Sequence, residues 1–500
     1  MRWLLVLCLL VLAGPVRAEW VVGESDHFRV YARESEKYVR EKVALLEDYR
    51  SLLLMLTNAK AEARADDPKL DVYLLRNATE ANRICRKLGR AGGYYTSSLA
   101  GVATFVNTTS QGQALLLHEY AHHFMYSSGF SVYPSWYEEG FAEYFMTAEF
   151  RPDFVEYGRA NWDRSYLLRA NRWLPLKDIL EGRDYRSSSG DGVFMFYAQS
   201  WLLTHYMFRV EGQRAKLKAY LMALGEGEDS VQAFRTHVDP DLEGFQVKLG
   251  NYFGQQKRTF SRWKRSPVTP AKVQVRHLPK AADDLLLLLV DLELAGDSKE
   301  TRARALDLVP KAAARHPGDP MAERALALLA LRFGERDEAV QRLDRLLETM
   351  PDDPALLLWR ARAAIVEGAE DQIEARRYLT RSFRANPQDW RTLHSYAVLQ
   401  GARKKKLSEN DMNVLGLAWE LAPQVPEIAI DLAVAYVRQG KPDTAARILR
   451  PVANSVHDSP MKRFAGRLRG FAVDGDVDGF LHALSKPEEV LEDEAAEEAR

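Results

Sequence analysis

Two stretches decide the fold: Leu117-His118-Glu119-Tyr120-Ala121-His122-His123, and Trp136-Tyr137-Glu138-Glu139-Gly140-Phe141-Ala142-Glu143-Tyr144-Phe145. On an α-helix, positions four apart are separated by about 400°, so His118 and His122 share a face one turn apart. Two neutral imidazole nitrogens at that separation can close on one Zn2+ ion, and Glu119 then projects toward the water rather than the metal. His123 lies about 100° round the helix from His122 and is not expected as a ligand.

The second stretch supplies the rest of the constellation. Sixteen residues separate His122 from Glu139, and Glu143 follows one turn after Glu139 on the same helix face. The arrangement resembles the gluzincins, the thermolysin-like and aminopeptidase N-like zinc peptidases, whose third ligand is a glutamate on a following helix. Trp136-x-x-Glu139-Gly140-Phe141-Ala142 is similar to the aminopeptidase pattern around that ligand. The resemblance therefore implies His118, His122 and Glu139 as metal ligands and Glu119 as general base. Glu143 is placed to hold a ligand histidine through its second ring nitrogen. The bland alternative makes Glu138, Glu139 and Glu143 an acidic, solvated helix face.

The resemblance also implies a tyrosine at the start of a later helix that supports the oxyanion. Tyr197, 58 residues after Glu139, is the candidate, with His205 as its substitute; packing among Phe194, Phe196 and Tyr206 is the competing role. One motif is missing. Aminopeptidases of the group carry G-x-M-E-N on the strand before the metal helix, and Gly101–Asn107 lacks that glutamate. An endopeptidase that pairs an extended peptide with this edge strand is the better expectation. Over residues 25–255 the chain is most similar to secreted peptidase-MA-like families that combine H-E-Y-A-H with E-G-F-A-E-Y.

Outward from these motifs, residues 19–265 read as one α+β zincin-like metallopeptidase domain. Strands are predicted at His27–Tyr31, Leu70–Leu75, Tyr94–Thr96 and Gly101–Asn107, and helices at 35–56, 78–88 and from Gln113 onward. Residues 280–485 change character. Pro317, Pro351, Pro387 and Pro423 recur at intervals of 34, 36 and 36 residues, the period of tetratricopeptide-like helical hairpins. Gly334 at a turn, with Ala339, Ala375 and Ala445 early in second helices, let paired helices approach. The segment 390–422, with Lys404-Lys405-Lys406, is the degenerate repeat. An all-α tetratricopeptide-like solenoid is expected to bind a protein partner on its concave face. Residues 486–500 read as an acidic, disordered tail.

Residues 1–18 read as a signal peptide: Arg2, an apolar run to Ala13, and Val16-Arg17-Ala18 before a cleavage near Ala18. The run is half the ~20 residues of a spanning helix, so a secreted or periplasmic protein without a transmembrane segment is expected. Of two cysteines, Cys8 leaves with the signal, and Cys85 is read as a small buried hydrophobe. Asn77 and Asn107 begin glycosylation sequons. A net charge of −1 over 500 residues gives no reason to expect nucleic acid. The function expected is zinc-dependent hydrolysis of a protein or peptide substrate. The rival is a non-catalytic scaffold or envelope assembly factor whose zinc site is structural or vestigial.

Overall fold

The computed structural model describes residues 19–57, 68–77, 79–81, 92–108, 112–127, 132–159, 161–182, 190–255, 260–265, 271–294, 296, 298–365, 372–403, 406–454 and 460–486. The expected signal peptide, Cys85, most of the helix expected at 78–88, Lys404-Lys405 and the acidic tail from 487 lie outside them. Among the described residues no helix is long and apolar enough to cross a membrane.

The first half is built on a six-stranded sheet. Its strands are β1 (Val21–Glu24), β2 (Phe28–Ala32), β3 (Leu70–Leu75), β4 (Gly93–Ser98), β5 (Gly101–Asn107) and, from far along the chain, β9 (Gln274–His277). A small second sheet contains β6 (Glu149–Phe150), β7 (Phe154–Tyr157) and β8 (Ser261–Lys264). The main sheet has the order β4-β5-β3-β2-β1-β9. β2 and β3 run parallel across the connection that holds α1 (Glu36–Thr57), and β3 and β5 are also parallel. β1 and β9 add the first half's far edge, so this unit continues past residue 265.

β3 is buried at nearly every position because both sheet faces are covered. One face packs on α1 through Val39, Val43, Leu46 and Leu53, and on α2 (Gly112–Ser127), which carries the histidines. The other face buries Trp20, Val22, Tyr73 and Phe105 under α10 (Ala282–Leu294), which turns Leu286, Leu287 and Val290 to the sheet and Leu285 and Leu292 to the core of the helical stack. Tyr31, Tyr73 and Phe105 stack in series across the strands, with centroids 4.7 Å and 5.1 Å apart.

Behind α2 lies α3 (Ser135–Phe145), buried along its whole length. The helices α4 (Trp162–Ala170), α5 (Leu176–Glu181), α6 (Gly190–Arg209), α7 (Gln213–Glu226), α8 (Ser230–His237) and α9 (Leu242–Gln255) complete the unit. α3 and α6 approach so closely that Gly140 is obligatory. A Cβ there would lie 2.2 Å from Thr204 Oγ1 and 2.4 Å from the Ser200 carbonyl oxygen. The glycine after the candidate ligand is thus a packing requirement.

The second half is a stack of helical hairpins. α11 (Lys299–Ala313) precedes the pairs α12 (Pro320–Phe333) and α13 (Arg336–Thr349), α14 (Pro354–Ala364) and α15 (Ile373–Ala385), α16 (Trp390–Arg403) and α17 (Glu409–Leu421). The stack ends with α18 (Pro426–Arg438) and α19 (Pro442–Ala453), then α20 (Pro460–Val473) and α21 (Val477–Ser485). The recurring prolines fall in the turns that precede each first helix; Pro317, Pro351 and Pro387 stand two residues before an aspartate, and Pro423 two before Val425. Asp319 and Asp353 cap α12 and α14, accepting from Met321 N at 2.8 Å and Leu356 N at 3.0 Å. Ala339, Ala375 and Ala445 are fully buried between paired helices. The segment expected to be degenerate forms a hairpin like the others, and Ser408 and Asp411 build a capping box at its second helix.

The two halves meet at the tip of the β4–β5 hairpin. Leu99 and Val102 pack on the core formed by Trp390, Leu421, Val425 and Ile428, and Ser97 Oγ donates to the Gln424 carbonyl at 2.9 Å.

The α3–α6 contact gives a direct test. Gly140→Ala is expected to destabilise the first half by about 1–3 kcal/mol, the usual cost of overpacking. Thermal unfolding followed by circular dichroism should show a midpoint several degrees lower; an unchanged midpoint would refute the close approach.

Candidate metal centre

α2 and α3 bring three ligand atoms to one point. His118 Nε2 and His122 Nε2 lie 3.1 Å apart. Glu139 Oε2 is 3.4 Å from the first and 3.5 Å from the second. Ligands about 2.0–2.1 Å from a tetrahedral zinc are themselves ~3.3–3.4 Å apart, so these edges fit one face of such a site. Among the described residues this is the group of histidine and acidic side chains able to hold a metal ion.

The donor chemistry fits a cation as well as the distances do. Glu139 Oε2 is fully buried and has no hydrogen-bond partner, a costly state for a carboxylate oxygen unless a cation meets it. Burial works against ionising Glu139, yet His122 and His118 outweigh it and hold its pKa well below the usual carboxylate range. Burial also opposes protonation of His118, but Glu139, Glu143 and Glu119 together raise its pKa to about 9.

Glu119 is buried beside this triad, and burial raises its pKa against the pull of His118 and His122. Its position depends on β4. A Cβ on Gly93 would come within 2.5 Å of Glu119 Oε1, so the carboxylate occupies the space that a side chain at 93 would fill. Gly92-Gly93 reads in the sequence only as a turn; Gly93 in fact opens the edge strand and makes room for the base.

Glu138 points elsewhere and accepts a hydrogen bond from Tyr126 Oη at 3.1 Å. His123 leaves the triad too, meeting Tyr95 Oη at 3.3 Å, with burial and Arg50 pushing its pKa down to about 3. Glu143 Oε1 is 3.8 Å from His118 Nδ1, on the ring edge opposite the triad. Its own partners, Asn161 and Arg164, gave no signal in the sequence.

Tyr197 meets the His118 ring edge-on, with centroids 6.4 Å apart. It does not begin its helix, as the resemblance implied; α6 starts at Gly190, two turns earlier. His205 sits among Tyr144 and Trp201, with Nδ1 2.8 Å from Tyr252 Oη.

The strand Gly101–Asn107, expected to be the sheet edge, is an inner strand between β4 and β3; the edge is β4. Asn107 N donates to Gly92 O at 2.8 Å, and β4 pairs with β5 in the register Gly93↔Val106. Alternation then turns the peptide groups of Gly93, Tyr95 and Ser97 away from β5.

No protein-family model matches the chain, and no curated protein matches its sequence.

The geometry predicts which changes cost metal. Purified chain dialysed against trace zinc should hold about one zinc by elemental analysis. Glu139→Ala and His122→Ala should lose it, whereas Glu138→Gln should keep it. Equal zinc in the Glu139 and Glu138 variants would overturn the ligand assignment.

Proposed function

We propose that the chain is a zinc-dependent peptidase, secreted or periplasmic, that cleaves within extended segments of a protein substrate. The observation that carries the reading is Glu139 Oε2, orphaned in the interior and held 3.4–3.5 Å from both imidazole nitrogens, with Glu119 buried alongside. A structural zinc normally has four protein ligands, whereas three leave a position for water. This favours catalysis over the scaffold reading, which has no use for Glu119. The gluzincin likeness of the H-E-x-x-H and E-G-F-A motifs points the same way.

Zinc, when bound, would polarise the scissile carbonyl and acidify a water molecule. The chain's own residues then divide the work. Glu119 takes a proton from the attacking water and passes it to the leaving amine. Burial raises its pKa, which aids the second transfer, when the carboxyl must hold the proton. Tyr197, beside the His118 ring, is assigned the donor that supports the oxyanion. Glu143, with Oε1 3.8 Å from His118 Nδ1, sets a negative charge beside that nitrogen and so favours the tautomer that leaves Nε2 free for the metal.

The substrate's approach follows from β4. Gly93, Tyr95 and Ser97 turn their peptide groups to the open edge, and a peptide adding there as a strand would pass Glu119 at Gly93. The helical stack touches the same hairpin at Ser97 and Leu99. A tetratricopeptide-like concave surface would thus hold a protein substrate or partner next to the cleft.

Two variants separate the base from the metal. Glu119→Gln should keep its zinc while hydrolysis of an unfolded protein substrate falls by about 10²–10⁴-fold. Gly93→Ala should also keep zinc and fold, because the displaced atoms are the end of a flexible side chain, yet turn over more slowly. A zinc-loaded Glu119→Gln chain with full activity would sink the mechanism.

A further inference from the structure

Glu143 is 1% exposed, and a carboxylate so deeply placed needs partners. Its donors come from the start of α4. Asn161 Nδ2 donates to Oε2 at 3.1 Å. Arg164 donates from Nε to Oε2 at 3.1 Å and from Nη2 to Oε1 at 2.6 Å. Asn161 also caps α4, its Oδ1 accepting from Asp163 N at 3.1 Å and Arg164 N at 3.4 Å. The residue that caps the helix therefore fixes the backbone from which the arginine departs.

A two-point guanidinium fork sets the plane of a carboxylate, which the single charge of a lysine does not. With Oε2 occupied on both sides, the oxygen left facing His118 is Oε1, 3.8 Å from Nδ1. Cζ of the same guanidinium lies over the Tyr197 ring, 5.1 Å from its centre, and that ring packs edge-on against His118. Arg164 thus touches both Glu143 and Tyr197, two groups that lie against His118. It also balances one of the three carboxylates, Glu119, Glu139 and Glu143, that the two histidines share.

We infer that Arg164 is a positioning residue of the metal centre: by gripping Glu143 it fixes the orientation and tautomer of His118, and it seats Tyr197 against the same ring. The inference rests on the metal reading given above, but not on peptide hydrolysis. Outer partners of this kind are worth about 10–100-fold in metal affinity.

The test is a zinc competition titration against a chromophoric chelator, on the full chain, for wild type, Arg164→Met, Arg164→Lys, Glu143→Gln and the Arg164→Met/Glu143→Gln double variant. Arg164→Met should bind zinc about 10–100-fold more weakly, and Arg164→Lys should recover only part of the loss. The double variant should bind like Glu143→Gln alone, because the arginine acts through that carboxylate. Arg164→Lys keeps the charge and secures the comparison if the methionine variant folds poorly. The visible spectrum of the cobalt-loaded chain adds a readout of ligand geometry, which should change in Arg164→Met. Wild-type affinity in both arginine variants, or losses that simply add in the double variant, would overturn the inference alone. A wild-type chain that takes up no zinc would overturn the metal reading and this inference with it.

Discussion

The buried carboxylate of Glu139 is the constraint on which the first half of the molecule turns. A charged oxygen without a hydrogen-bond partner, enclosed by two imidazoles, is unfavourable unless positive charge is supplied. A divalent cation between the three side chains would supply it. The surrounding architecture can be understood as what is needed to hold three such side chains on two helices that pack face to face.

Those helices are placed by close packing. α2 rests on the sheet through Tyr120, which meets Phe28 and Tyr49 edge-on or tilted at 5.2 Å and 5.7 Å. α3 is wedged against α6 by the missing side chain of Gly140. Trp136 anchors its first turn, donating from Nε1 to Tyr220 Oη at 3.1 Å. A further glycine, Gly93, clears the space that Glu119 uses. Two of the centre's features are therefore absences of a Cβ.

The metal constellation was legible because it is local. His118, Glu119 and His122 sit within one and a half turns of helix, and Glu139 and Glu143 within one turn of another, so helical periodicity alone fixes their relative faces. Strands β2, β3 and β5 were likewise legible from alternation and apolar runs. What depends on long-range pairing was not. β9 returns to the sheet some 250 residues after its partner β1, and nothing local in Gln274–His277 marks it. The edge strand was misplaced for a related reason: β4 and β5 form a hairpin, and which member lies outside is decided by the parallel pairing of β5 with β3. Asn161 and Arg164 gave no signal in the sequence, since their importance comes from a contact with Glu143 about twenty residues earlier in the chain. In the helical half the period and the small residues gave the hairpins, but not that α10 would cover the sheet as well as joining the stack's interior.

The stack's contact with the β4–β5 hairpin joins the two halves at the strand nearest the triad, so recognition on the repeats and chemistry at the centre would share one structural element. Everything in that account depends on a cation lying between α2 and α3. Anomalous diffraction at the zinc edge, from crystals grown with zinc, tests this most directly. The account predicts a strong peak about 2.0–2.2 Å from His118 Nε2, His122 Nε2 and Glu139 Oε2. The absence of a peak there, or a peak bound by other residues, would contradict it.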